Sequence, residues 1–277
     1  MVDIILDTVF DSLKLLPFLF IAFLIIELIE HKYENKTNTL IKNSGKFGPV
    51  VGSLLGLFPQ CGFSVFATNL YITRLITMGS LVAIYLATSD EMLPVMLSGG
   101  MKWQVILISL GIKFVIGIIT GVIIDLIIKG DNKPVYEICD HEHCHCHKDH
   151  GVIKSSLIHT LKIFIFIFVF SFIINTSFYY FGEDFLSKIL LKNNIFGSFL
   201  TSLIGLIPNC GASVLLTELY INNTITYGSM MAGLLTGAGV GLAILVKNNK
   251  PFKNTLFILL VIYLVGALSG LIINLIY

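Results

Sequence analysis

Two thiols and two amides stand at matching breaks in the chain, Pro59-Gln60-Cys61-Gly62 and Pro208-Asn209-Cys210-Gly211. Proline withdraws a backbone donor and glycine permits turns that other residues resist, so neither break continues as a regular helix. The freed backbone groups, with Gln60, Cys61, Asn209 and Cys210 beside them, make a donor set suited to an ion. Downstream, Cys61, Ser64 and Thr68 recur as Cys210, Ser213 and Thr217. The i, i+3, i+7 spacing puts a thiol and two hydroxyls on one helix face. Asn69 and Glu218 hold matching positions just beyond that stripe.

Two further groups carry charge or soft ligands. Asp90 and Glu91 are adjacent within an apolar run that they and Pro94 interrupt, where the second half has Gly237, Gly239 and Gly241, and Lys113 lies in the next run. An intramembrane carboxylate is expensive and suggests a cation ligand or proton carrier. The polar stretch Cys139–His150 offers His141, His143, Cys144, His145, Cys146, His147 and His150. Imidazole and thiolate suit zinc, copper or nickel, although no fixed finger spacing is present. Plainer readings stand beside each group. The Ser/Thr stripe also fits close helix packing, the carboxylates also fit a structural pair with Lys113, and the His/Cys stretch also fits a buffering or sensing loop. Lys14 and Lys162 snorkel near span ends. Gly111, Gly117, Gly121, Gly266 and Gly270 read as packing positions.

The elements that must position these groups are hydrophobic. Of 277 residues, 55% are hydrophobic and only 13% charged, against about 25% charged in soluble domains. Apolar runs at 9–29, 77–98, 103–128, 155–181, 225–246 and 252–277 each approach or exceed the roughly 20 residues that cross a bilayer. The expected fold is an all-α polytopic membrane protein. The acidic start, with Asp3 and Asp7, argues against a secretory signal, so the first run reads as a retained span. A net charge of +1 says nothing about nucleic acid, and no basic patch with interleaved aromatics occurs, so no nucleic-acid partner is expected. The five cysteines do not form a framework of paired disulfides. No Gly-x-x-x-x-Gly-Lys-Ser/Thr loop occurs, so transport would draw on a gradient or a partner.

The breaks belong to an internal duplication. Residues 56–80 and 205–229 align without a gap and share 15 of 25 residues. The domains read as a first membrane repeat at 1–128, a His/Cys-rich linker at 129–154 and a second repeat at 155–277. Each arm of the 47–73 segment is about 11 residues, hence about 16 Å of helix, and reaches only mid-bilayer. The segment is either a re-entrant hairpin or one discontinuous span. Hairpins give three spans per half and inverted repeats; full crossings give four and parallel repeats. The hairpin version places more Lys and Arg, including the His31–Lys46 loop and the linker, on the cytoplasmic side, and is preferred on that ground. A pair of interrupted spans in corresponding places marks a transporter's binding site.

The duplicated Phe/Ile-Pro-Gln/Asn-Cys-Gly-x-Ser, the segment Ala83-Ile-Tyr-Leu-Ala-Thr-Ser-Asp-Glu-Met-Leu-Pro94 and the Cys/His linker together resemble a heavy-metal exporter family, whose members are also labelled arsenic efflux proteins or manganese transporters. The resemblance covers essentially the whole chain and implies a permease with about ten helical elements. That agrees with six spans plus two two-armed hairpins.

The expected function is secondary export of a metal or metalloid ion, of the manganese, zinc or arsenite class, and not enzymatic catalysis. Gln60, Cys61, Ser64, Asn69, Asp90, Glu91, Asn209, Cys210, Ser213 and Glu218 would line the path, with Cys61, Cys210, Asp90 and Glu91 as metal ligands. Thiolates favour zinc or arsenite; carboxylates and amides favour manganese. No cofactor is expected beyond the transported metal. The expected partners are a lipid bilayer in the cell membrane and a small inorganic ion, with a homodimer left open. An organic-anion carrier is the alternative, since inward helix N-termini favour anions. A membrane thiol redox enzyme using Cys61 and Cys210 is a remote one.

Overall fold

The computed structural model describes residues 47–58, 62–89, 91–128, 194–249 and 252–276, with isolated helical positions within 16–24 and 153–172. The described residues form helices joined by short turns, and no strand occurs among them. A first series comprises α1 (Gly48–Gly56), α2 (Gly62–Ile72), α3 (Met78–Ala87), α4 (Met92–Ser98) and α5 (Trp103–Ile127). A second comprises α6 (Asn194–Gly205), α7 (Cys210–Ile221), α8 (Tyr227–Thr236), α9 (Gly241–Asn248) and α10 (Phe252–Ile276). Each helix of one series has its counterpart in the other.

Helices α5 and α10 have 25 residues each, about 37 Å at 1.5 Å per residue. Each is long and apolar enough to cross a membrane, as is the stretch Met78–Ser98 that joins α3 to α4. Helices α8 and α9 make a fourth crossing if their pair, bent by 41°, is one span. The expected runs at 77–98, 103–128, 225–246 and 252–277 therefore appear as helices; most of 9–29 and 155–181 lies outside the described residues. On α10 the exposed side chains Leu256, Leu260, Leu264, Leu268 and Ile272 recur every fourth residue. An apolar stripe turned outward suits a lipid surroundings and would be costly in water.

The inner faces are lined by small residues. A Cβ on Gly121 would lie 2.6 Å from Gly79 O, and one on Gly117 would lie 2.9 Å from Ala83 O. In the second series a Cβ on Gly270 would lie 2.5 Å from Gly228 O, and one on Gly266 would lie 2.9 Å from Ala232 O. These Gly-x-x-x-Gly pairs bring α5 onto α3 and α10 onto α8, antiparallel and at backbone contact, as membrane helices do where side-chain volume would hold them apart. Four of the five glycines read as packing positions thus pack; a Cβ on Gly111 would meet nothing within 4 Å.

The starts of α3 and α8 are fixed by the same device. Thr77 accepts the Ser80 N–H at 3.1 Å and Thr226 accepts the Ser229 N–H at 3.2 Å, each capping its helix. Asp125 near the end of α5 accepts from Gly79 N at 2.9 Å and from the Thr77 hydroxyl at 2.7 Å. Asn274 of α10 accepts from Gly228 N at 3.0 Å and donates to Ser198 Oγ at 3.0 Å. Helices α2 and α7 end in turns with Arg74 and Asn223 at φ 65° and 55°, again matching positions.

Helix directions follow from these contacts. A Cβ on Gly52 would lie 3.0 Å from Ile84 Cγ1, and one on Gly56 would lie 3.0 Å from the Ala87 methyl, with Gly48 facing Ser80. Helices α1 and α3 thus run side by side in the same direction. The intervening α2 carries the chain back to the level at which α1 began. In the second series Gly197 faces Ser229 and Gly205 faces Gly233, so α6 and α8 are parallel too.

The series exchange arms. Helix α2 packs on α9, and α7 packs on α4. Gly241 opens α9 so close to α2 that a Cβ there would lie 2.7 Å from Ser64 O. Two buried clusters result. Leu81, Tyr85 and Leu86 of α3 meet Leu242 of α9 and Ile258 of α10, whereas Met92 and Met96 of α4 meet Leu215, Leu219 and Tyr227.

Candidate functional site

The interruptions between α3 and α4 and between α8 and α9 come together where the two series cross. Helix α3 ends at Ala87 with Thr88 as its C-cap, and α8 ends at Thr236. Between them lies Lys113, the eleventh residue of α5 and 1% exposed. Its Nζ donates to Thr88 O and, at 2.9 Å, to Leu234 O. A lysine at mid-span, sequestered from lipid and water, is tolerated where its ammonium meets several oxygens. Here backbone carbonyls from both series supply them.

Around this point the stripe residues of α2 are buried. Ser64 and Thr68 are inaccessible. The Thr68 Oγ1 lies 2.6 Å from Ser64 O, 2.5 Å from the Tyr85 hydroxyl and 3.2 Å from Gly241 O. One hydroxyl thus joins α2, α3 and α9, with Tyr85 able to donate to it while its own proton goes to a carbonyl. On α7, Ser213 is 7% exposed, and its Oγ lies 3.3 Å from where a Cβ on Gly237 would be, at the α8–α9 break. Asn209 is buried and caps α7, its Oδ1 accepting from Gly211 N at 3.4 Å. Thr217 donates only within its helix, to Ser213 O at 2.7 Å.

The remaining candidates fall elsewhere or outside the description. Asn69 is buried and donates to Val65 O of its own helix at 3.1 Å. Glu218 is exposed on α7. Glu91 is half-buried at the start of α4, which it precedes as N-cap without a side-chain capping bond. Gln60, Cys61 and Asp90 lie outside the described residues, as do His141, His143, Cys144, His145, Cys146, His147 and His150. Cys210 opens α7, and its side chain lies outside the description. Among the described residues no three His, Cys, Asp or Glu side chains gather as a metal site.

Three residues at the crossing were not among the sequence candidates: Tyr85, Thr88 and Gly241. Tyr85 and Thr88 sit in the segment Ala83–Pro94 that the resemblance rests on, so a signal was present. Gly241 carried none beyond the run of three alternate glycines, Gly237, Gly239 and Gly241. The sequence offers Lys113 only as a partner for Asp90 and Glu91; its bonds to two backbone carbonyls come from the fold.

No curated protein and no solved structure matches the chain. A family model described as "Putative, 10TM heavy-metal exporter" matches residues 1–191 and again residues 165–277, two overlapping spans that together cover the chain. With broken helices crossing at mid-span around Lys113 and apolar helices turned outward, the chain belongs to this ten-transmembrane heavy-metal exporter family.

Proposed function

We propose that the protein is a secondary transporter that exports a metal or metalloid ion of the manganese, zinc or arsenite class. The ion would pass through a midplane site at the Pro-Gln/Asn-Cys-Gly breaks. The observation that carries the reading is the convergence of both interrupted spans, α3–α4 and α8–α9, on one point of α5, with Ser64 and Ser213, which closely follow the Pro-Gln/Asn-Cys-Gly breaks, lying against Gly241 and Gly237 of the second interruption. Regular helix satisfies its own backbone and offers an ion nothing. Two interruptions at one depth expose carbonyls and helix ends where lipid cannot reach them.

In this reading Cys61 and Cys210, with Gln60, Asn209 and Ser213, bind the ion. Ser64 and Thr68 hold α2 against α9. Asp90 and Glu91 bind the cation or carry a counter-transported proton. Asn69 and Glu218 contribute further along the path. The His/Cys linker, 129–154, collects metal on the cytoplasmic side. The repeats, 1–128 and 155–277, are inverted in the cell membrane, each with a re-entrant hairpin. One feature supports the inversion and another the hairpin. Helix α3 starts beside Asp125 near the end of α5, whereas α8 starts at Tyr227, whose hydroxyl is 2.8 Å from Ser109 in the opposite half of α5. The parallel course of α1 and α3 supports the hairpin, because α2 must return between them.

Cellular metal content under manganese, zinc and arsenite challenge tests the reading. Cells expressing the protein should hold less of one element than cells without it. Asp90→Asn should restore a hard cation such as manganese; Cys61→Ser with Cys210→Ser should restore a thiophilic one. Unchanged content of all three elements would set the metal reading aside in favour of an organic-anion carrier.

A further inference from the structure

Each interrupted span loses a particular hydrogen bond. In a continuous helix Thr88 O would accept from Met92 N and Leu234 O from Ala238 N. Instead Met92 N turns to Ser89 O at 3.0 Å, and Ala238 N turns to Thr236 O at 3.0 Å. Two carbonyls are thereby freed, one at the end of each first arm, where the helix dipole also leaves partial negative charge. Both freed oxygens point to the same ammonium, that of Lys113. The residue at the matching place in the second series is Ile262, fully buried and apolar. One lysine thus serves both breaks.

Carbonyls freed at helix interruptions, together with helix C-terminal ends, are what membrane transporters use to hold a monovalent cation. We propose that this crossing is a monovalent-cation site whose cation is built into the chain as the Lys113 ammonium. Its positive charge holds the ends of α3 and α8 together. The proposal goes beyond the export reading and holds whichever ion is exported.

Removing the side chain should therefore leave a site that a free cation can fill. The full-length protein, purified in detergent, is unfolded thermally in sodium, potassium, methylammonium or N-methylglucamine chloride at equal ionic strength. Wild type should unfold at one temperature in all four. Lys113→Ala should unfold several degrees lower in N-methylglucamine and recover, saturably, in at least one small cation. Methylammonium is the direct mimic of the lost head group. Lys113→Ala responding to the four salts just as wild type does would overturn the proposal. Should that variant not accumulate, Lys113→Arg against Lys113→Gln decides. Arg should unfold near wild type and Gln well below it; Gln unfolding with wild type would show that charge is not what the crossing needs. Neither result depends on a transport assay, so failure here is distinct from failure of the export reading.

Discussion

The two series share a scaffold and differ at its centre. The matching pairs Gly79 and Gly228, Gly121 and Gly270, Thr77 and Thr226, and Ser80 and Ser229 do equivalent work: they pack backbone on backbone or cap a helix. At the interruption the pairs diverge. Asp90 answers Gly239, Glu91 answers Val240, Pro94 answers Ala243, and Lys113 answers Ile262. The second series breaks its span with backbone alone, including Gly239 at φ 56°; the first does so with charge and proline. Duplication has preserved what builds the bundle, while at the interruption the charged side chains have collected in one copy. A crossing formed by both breaks needs one set of charges.

The largest expected effects come from making either scaffold bulky. Gly79→Val and Gly228→Val each force a side chain into the backbone of the partner helix, and overpacking of this kind costs about 3 kcal/mol or more when neither helix can yield. Both variants should fail to give a monodisperse peak in size-exclusion chromatography. Failure of one and not the other would break the equivalence of the halves.

Next come exchanges across the comparison. Lys113→Ile, which copies the second series, strands two freed carbonyls in a buried site, at about 1–3 kcal/mol for each unsatisfied group. Ile262→Lys, which copies the first, buries an extra charge and should cost about 3–5 kcal/mol if no partner is found. Thermal unfolding in detergent should show both variants below wild type. A tolerated Ile262→Lys would mean that the second break can also hold an ammonium.

A smaller difference is expected at the stripe. Thr68→Val removes a hydroxyl shared among α2, α3 and α9, whereas Thr217→Val removes one that stays within its helix. The first should cost about 1–2 kcal/mol and the second under about 1 kcal/mol. Equal shifts in unfolding temperature would show that the inter-helix bonds add nothing. The smallest effect belongs to Asp125→Asn, which copies Asn274 and keeps the acceptor for the Gly79 N–H. It should change stability by no more than about 1 kcal/mol, the worth of a charge near a helix N-terminus.

Much of this architecture can be read from residue types. The duplication, the apolar runs at 77–98, 103–128, 225–246 and 252–277, and the interruptions at Asp90–Pro94 and Gly237–Gly241 all follow from hydropathy and from proline and glycine. The placement of Lys and Arg favours a hairpin, in which α1 and α3 run the same way, but the contact that sets them side by side, Gly48 meeting Ser80, is not legible in Gly48 itself. The role of Lys113 was equally hidden. Side-chain types suggest a carboxylate as partner and say nothing of the two backbone oxygens that Lys113 meets, which every residue carries and only the fold frees. Asn69 and Glu218 show a third limit. They match in the repeat, yet one bonds within its helix and the other faces outward.

The central claim, that the breaks conduct a metal or metalloid ion, is tested most directly in sealed vesicles holding the purified protein. Manganese, zinc or arsenite uptake into them would be measured for wild type, Asp90→Asn and the Cys61→Ser/Cys210→Ser double variant. The account predicts protein-dependent flux of one of these substrates, lowered at least tenfold by changes at the breaks while the variants remain folded. Flux of none of the three, or flux of one that is indifferent to all of those changes, would contradict it.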